Sequence, residues 1–273
     1  MLSRLAFDAA TLPVWANSLI VVVTILVIAF GAHWLVESAV ALAKRLGISE
    51  LVIGLTIVAL GTSAPEFAVT LNAGFKGQGD ISVGNIVGSN IFNLGFILGG
   101  AALFRALPTN RLLLVRDGSV LVGTTLLLML LIGIDLRLDR YDGMILLALL
   151  GGYLALLFVQ RKAGDTTPEE ESSQVTSAPE PLAPVGRSVA LLLVGFASVG
   201  LGSHYMVDSA TAIARAYHVS EWVIGVTIVA AGTSAPELAT TLAGAIKGRY
   251  DVGVGNLIGS DIFNLLGVLG LAG

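Results

Sequence analysis

The sequence predicts an all-α polytopic membrane protein made of two inverted halves, and three observations lead there. First, the chain is too apolar for a soluble domain. It has 55% hydrophobic and 12% charged residues over 273 positions, with a mean hydropathy of +0.87, whereas soluble domains carry roughly 25% charged residues. Second, it holds a series of apolar runs near the length of about 20 residues that a spanning helix needs. Third, it repeats itself at an offset that contains an odd number of those runs. The net charge of −4 lacks the basic footprint of a nucleic-acid binder. The absence of cysteine removes thiolate metal sites and thiol catalysis.

Taken in order, the runs cover 18–43, 51–75, 81–104, 112–133, 143–160, 188–214, 221–246 and 252–273. The first continues well past the apolar core of a signal peptide and ends without a small-residue cleavage pattern, so it reads as a span. The run 143–160 is short but usable. Between 161 and 187 the composition changes: Pro168, Pro179, Pro181 and Pro184 accompany the acidic run Glu169, Glu170 and Glu171. That stretch reads as a solvated, flexible linker. It divides a first half, 1–160, from a second half, 188–273.

Lysine and arginine placement sets the orientation. One face receives Arg4, Lys76, Arg137, Arg140 and Arg215. The other receives Lys44, Arg45, Arg105, Arg111, Arg116, Arg161, Lys162, Arg187, Lys247 and Arg249. Five against ten puts the N-terminus outside and the linker 161–187 in the cytoplasm.

Residues 54–99 align without gaps with 225–270 at an offset of 171, with 28 of 46 pairs identical. The correspondence extends back through His33 with His204, Glu37 with Asp208, Ser49 with Ser220 and Glu50 with Glu221. One repeat length contains five spans, so the second copy enters the membrane from the opposite side, as in the inverted repeats of secondary transporters. By the same offset, spans four and five would have partners near 283–304 and 314–331. The chain thus reads as about eight spans of a ten-span protein, with the second half truncated.

The chemistry concentrates in Gly61-Thr62-Ser63-Ala64-Pro65-Glu66 and its copy Gly232-Thr233-Ser234-Ala235-Pro236-Glu237. Proline donates no backbone hydrogen bond, so Pro65 and Pro236 free the carbonyls of Gly61 and Gly232 and interrupt the helix near mid-span. Ser63-x-x-Glu66 has capping-box spacing. A mid-membrane carboxylate is costly and marks function, and here it occurs twice, at broken helices, in inverted copies. The following span carries Gly84-Asn85-Ile86-Val87-Gly88-Ser89-Asn90-Ile91-Phe92-Asn93, copied as Gly255-Asn256-Leu257-Ile258-Gly259-Ser260-Asp261-Ile262-Phe263-Asn264. The glycine pairs have the GxxxG spacing that lets helices approach closely. Ser89 and Asn93, like Ser260 and Asn264, lie four apart and share a face. Neutral oxygens beside two carboxylates suit a hard cation such as calcium.

The remaining charges take quieter readings. Asp80 and Asp251 look like caps or first-turn carboxylates. Glu50 and Glu221 fall in short loops and read as solvated. His33 and His204 read as packing or interface histidines rather than ligands. Glu37 and Asp208 fit an ion-access role or a structural one equally. Asp261 replaces Asn90 of the other copy and reads as a residue behind the ligands.

The doubled GTSAPE and GNxxGSxIFN blocks resemble the alpha repeats of the cation/calcium exchanger superfamily, the sodium/calcium exchangers, over both repeats and the spans before them. The resemblance implies a ten-helix fold of antiparallel five-helix halves in a prokaryotic plasma membrane. It implies a secondary antiporter, not an enzyme, that needs no cofactor. Calcium and sodium are its transported ions, the lipid bilayer its setting, and no protein partner is inferred. Glu66 and Glu237 would be the central carboxylates, shared in competition by calcium and sodium. Thr62 and Thr233 would lend backbone carbonyls to calcium. Ser63, Ser234, Ser89, Ser260 and the carbonyls of Ala59 and Ala230 would complete the sodium sites, with Asn93 and Asn264 flanking the centre. Potassium-dependent relatives carry aspartate where this chain has Asn264, so the resemblance implies potassium independence. The alternatives are a proton/calcium or other divalent-cation antiporter, whose usual GNxxE motif is absent, and a cation channel.

Overall fold

A computed structural model of the chain describes residues 9–75, 79–104, 106–109, 111–135, 137–160, 184–220, 223, 228 and 230–273. Among them there is no strand. The helices are α1 (Val14–Leu46), α2 (Glu50–Thr62), α3 (Ala64–Phe75), α4 (79–104), α5 (113–135), α6 (Arg140–Val159), α7 (Val185–Ala216), α8 (Ala230–Thr233), α9 (Ala235–Ile246) and α10 (Tyr250–Ala272). Six of these are long and apolar enough to cross a membrane, and α2 with α3, bent by 46°, makes a seventh crossing. The protein is an all-α polytopic membrane protein. Of the run 221–246, most of 221–229 lies outside the described residues, as do 161–183 of the linker.

Local chemistry places the helix ends. Ser49 caps α2 by accepting from the Val52 N–H at 3.1 Å, and Ser220 accepts from the Val223 N–H at 3.4 Å, the same cap one repeat later. Gly47 closes α1 at φ 62°, a left-handed cap for which glycine carries no Cβ penalty. Asp139 and Asp142 form a reciprocal capping box at the start of α6.

Lipid tails are as apolar as leucine, so helix association in a membrane leans on close packing of small residues. The long helices α1 and α7 pack on each other through such a seam. A Cβ on Gly31 would lie 2.7 Å from the Ser198 Cβ, one on Gly195 2.9 Å from the Gly31 carbonyl, and one on Gly202 2.7 Å from Ile28. At the centre, α10 is buried along its whole spanning length. Its Gly255 and Gly259 meet the backbone of α2 at Leu51 and Leu55, as GxxxG spacing predicts. Leu146 and Leu157 of α6 and Leu121 and Leu128 of α5 pack against α10 in one cluster with Ile258, Ile262 and Leu265. Gly84 and Gly88 meet no described neighbour. The counterpart of the α2 segment they would face is 222–230, mostly outside the described residues.

Two sequence expectations change here. The helix breaks fall at Ser63 and Ser234, not at Gly61 and Gly232, which are still helical. Those glycines instead make room for α7: a Cβ would overlap Phe196 at Gly61 and Val207 at Gly232. Arg116, counted with the basic residues of one membrane face, is largely buried. It lies in the first, π-helical turn of α5, and its side chain is 9% exposed. It donates to both oxygens of Asp117, at 2.8 and 2.9 Å, and the Tyr153 hydroxyl of α6 donates to the same carboxylate at 3.0 Å. Breaking a buried pair from one side strands the other charge. Asp117→Asn should therefore cost on the order of 3 kcal/mol, seen as a lower unfolding midpoint in detergent. An unchanged midpoint would refute this account of the triad.

Candidate ion-binding site

The site is assembled from the two broken crossings. Ser63, at φ −75° and ψ 5°, ends α2, and Ser234, at φ −88° and ψ 7°, ends α8. Proline follows two residues later in each, inside the first turn of the new helix, where its missing N–H costs nothing. Glu66 and Glu237 then fall in the first turns of α3 and α9, where the helix dipole favours negative charge. Both are 0% exposed, and among the described residues neither has an ion-pair partner.

The capping-box expectation fails in an informative way. Ser63 does not cap its own helix with Glu66. Its hydroxyl donates to Oε1 of Glu237 at 3.3 Å, while the Ser234 hydroxyl donates to Oε1 of Glu66 at 3.5 Å. The two bonds are images of each other under the 171-residue offset. Each half thus solvates the other's carboxylate, and the physical reason is proximity: the inverted breaks meet face to face in the core.

The serines and asparagines of α4 and α10 form the surroundings. Asn93 and Asn264 are each the second residue of a π-helical stretch, Phe92–Leu98 and Phe263–Val268, a geometry that often marks functional sites. Asn264 Nδ2 donates to Asn90 Oδ1 at 3.1 Å and to Ser89 Oγ at 3.4 Å. Asn93 Nδ2 donates to Asp261 Oδ1 at 2.9 Å. On the α2 side, the Thr62 hydroxyl donates to Asn256 Oδ1 at 2.9 Å and lies 3.2 Å from Ser260 Oγ. The Ala59 carbonyl already accepts from the Ser63 N–H at 3.0 Å, the Thr62 hydroxyl at 3.3 Å and the Ser260 hydroxyl at 3.4 Å.

The structure therefore gathers the expected residues into three hydrogen-bonded groups: Glu237 and Ser63 with Thr62, Ser260 and Ala59; Glu66 with Ser234; and Ser89, Asn93 and Asn264, linked through Asn90 and Asp261. Thr233 ends α8 beside them, and Ala230 is described there only as helical backbone. Asn256, to which the sequence reading assigned no role, joins them through Thr62. Its signal was the Gly-Asn pair identical in both copies.

What this arrangement leaves over is mainly acceptor capacity, with Asn256 Nδ2 a buried donor also left without a partner. Glu66 Oε2, Glu237 Oε2, Asn93 Oδ1, Asn264 Oδ1 and Asp261 Oδ2 are all buried without a hydrogen-bond donor. Buried polar atoms are almost always paired, and five unpaired oxygens in one region form a surface for a cation. Among the described residues no three acidic or histidine side chains converge on one point. An ion here would thus be met by a carboxylate or two and by neutral oxygens.

The outlying charges are paired rather than free. Lys247 Nζ donates to Glu37 Oε1 at 2.7 Å and lies 3.3 Å from His33 Nε2, tying α9 to α1. His204 and Asp208 sit 3.5 Å apart on α7. Glu50, expected in a solvated loop, occupies the first turn of α2 and accepts from Arg249 at 2.9 Å. That bond is half in water, so Glu50→Gln should change stability by no more than about 1 kcal/mol and leave ion flux largely intact. A flux loss as deep as that of a central carboxylate would contradict this.

The chain is similar to several known proteins. The family model described as "Sodium/calcium exchanger protein" matches residues 17–159 and 187–273. The "Putative antiporter CaxA" of Alkalimonas amylolytica is 36% identical over 256 residues, covering 93% of this chain and 79% of that protein. The "Sodium/calcium exchanger MaX1" of Methanosarcina acetivorans is 31% identical over 291 residues, covering 94% and 82%. A solved structure of the sodium-calcium exchanger NCX_Mj superposes with a TM-score of 0.79 at 31% identity, over 95% of this chain and 82% of that one. The chain belongs to the sodium/calcium exchanger protein family, and it is a secondary transporter and not an enzyme.

Proposed function

We propose that this protein exchanges calcium for sodium across the membrane by alternating access, with Glu66 and Glu237 as the central carboxylates. The observation that carries the proposal is the set of buried oxygens without donors between the two broken crossings. Carboxylates, amides and hydroxyls with no sulfur or imidazole select hard cations. Two carboxylates balance the charge of one calcium ion. Sodium ions occupy the same oxygens when calcium leaves, so competition couples the two fluxes. Thr62 and Thr233 supply carbonyls to calcium. Ser63, Ser234, Ser89, Ser260 and the carbonyls of Ala59 and Ala230 serve sodium, and Asn93 and Asn264 flank the centre. Asn264 in place of an aspartate makes transport independent of potassium.

The halves 1–160 and 188–273 face each other across a pseudo-two-fold axis in the membrane plane, and α1 with α7 slides over them to open one side or the other. Removing the buried Arg116 from the count of ten leaves nine basic residues against five, still enough to hold the linker 161–187 in the cytoplasm and the N-terminus outside. The membrane is the prokaryotic plasma membrane.

The test is isotopic calcium uptake into vesicles holding the reconstituted protein, with sodium, potassium or proton gradients imposed in turn. Uptake driven by an outward sodium gradient and indifferent to potassium is expected. Uptake driven by protons alone would move the protein to proton/calcium exchange. Uptake indifferent to every gradient would make it a channel.

A further inference from the structure

We propose that Asp261 is a third cation-binding carboxylate, holding a sodium ion beside the central glutamate pair. The inference rests on the exchange reading above and extends it. It comes from comparing the two copies within this one chain. Asp261 and Asn90 are equivalent positions, as are Asn264 and Asn93. Asn90 makes two side-chain bonds: its Oδ1 accepts from Asn264 Nδ2 at 3.1 Å, and its Nδ2 donates to the Asp261 backbone carbonyl at 3.1 Å. Asp261 reproduces the first, accepting from Asn93 Nδ2 at 2.9 Å. It cannot reproduce the second, because a carboxylate has no proton to donate. Its Oδ2 is left buried without a partner, on a residue that is 0% exposed.

A neutral asparagine therefore already performs the structural task of this position, elsewhere in the same protein. The negative charge at 261 is additional. No cationic side chain pairs with it among the described residues, and an unpaired charge at this depth costs several kcal/mol. Packing returns nothing for that cost, since aspartate and asparagine have the same shape. A bound cation does. Asn93 Oδ1, on the amide that holds Asp261 in place, is also without a donor and supplies a second oxygen. Among the described residues no three acidic side chains converge, so an ion at Asp261 would be met by this carboxylate and neutral oxygens rather than by all three carboxylates together. One carboxylate with neutral oxygens matches a single positive charge, which is sodium in this exchanger.

The decisive variant is Asp261→Asn, which gives the second copy the first copy's side chain and so keeps the fold. The full chain is reconstituted in vesicles, and the number of sodium ions moved per calcium is read from the membrane potential at which calcium flux reverses. The expected result is a ratio lower by one sodium than in the wild type. An active variant with an unchanged ratio overturns the proposal. Should the variant not transport, or the wild type show no sodium coupling, sodium-induced thermal stabilisation of the calcium-free protein in detergent decides the matter separately. Loss of one component of that stabilisation in Asp261→Asn supports the site, and an identical sodium response in both proteins overturns it. A wild type stabilised by sodium but without sodium-driven flux would count against the exchange reading and leave the site standing.

Discussion

Glu66→Gln is expected to abolish calcium exchange, and Glu237→Gln to do the same. The loss should exceed the roughly 10–100-fold typical of removing a residue that only supports a metal ligand. Glutamine has the same shape, and its carbonyl oxygen can still accept from Ser234 or Ser63, as Oε1 does now. What disappears is a negative charge with no paired cationic side chain among the described residues, and with it half the charge that balances calcium. The fold should survive, so each variant should run as a single species in detergent while its isotopic calcium flux falls to background. Because each carboxylate is solvated by a serine of the other half, neither variant should be rescued by the remaining glutamate. Near-normal flux in either one would remove the central claim about this site.

Gly259→Ala should damage both fold and flux, although it adds a single methyl group. In an exposed helix the change to alanine would add helix stability, about 1 kcal/mol. Here the new Cβ would lie 2.7 Å from both Cα and the carbonyl oxygen of Leu55 and 2.8 Å from the Ala59 Cβ. Those are backbone and near-backbone atoms, which cannot swing aside. Relief requires α10 to back away from α2, and overpacking of this kind costs about 1–3 kcal/mol. The movement acts on the site directly. Thr62 with Asn256, Thr62 with Ser260, and Ser260 with the Ala59 carbonyl all span the same contact. Flux should fall by about tenfold, the equivalent of roughly 1.4 kcal/mol, together with a lower unfolding midpoint. Gly151→Ala, on an exposed position of α6 with open space around it, is the matched control and should leave both unchanged.

The spans were legible because a membrane helix is written in twenty-odd consecutive apolar residues, and the repeat because it aligns without gaps. The two glutamates were legible for a related reason: they are costly charges recurring at equivalent breaks. Partner choice was not legible. Ser63-x-x-Glu66 has the spacing of a local cap, and sequence spacing alone favours the neighbour over a residue 174 positions away. Only the face-to-face meeting of two inverted breaks reverses that preference. The glycines show the same limit. Gly61 and Gly232 sit next to the interruption in sequence, yet what requires them is a ring or a valine on α7. Arg116 looked like a boundary charge because hydropathy marks where a span starts, whereas its burial depends on Asp117 and Tyr153, the latter from another helix. The Asp261 substitution was visible, but its significance needed the hydrogen bonds of both copies side by side.

The length of α1 and α7 has a mechanical consequence. Along α1 the exposed apolar residues run from Trp15 to Trp34, with only Leu46 beyond them, and along α7 from Val185 to Tyr205. Each band is close to the 30 Å of a bilayer's hydrocarbon at 1.5 Å per residue. Beyond it α1 continues through Glu37, Lys44 and Arg45 to Leu46, and α7 through Asp208 and Arg215 to Ala216. That leaves an overhang of roughly 16–18 Å on each helix. An axial shift of one helical turn, about 5.4 Å, uses only a third of it. Glu37 and Asp208 lie three residues past these bands, about 4.5 Å, so a full-turn shift carries the leading one to the edge of the hydrocarbon, and these two carboxylates set the limit of the pair's travel along its own axis.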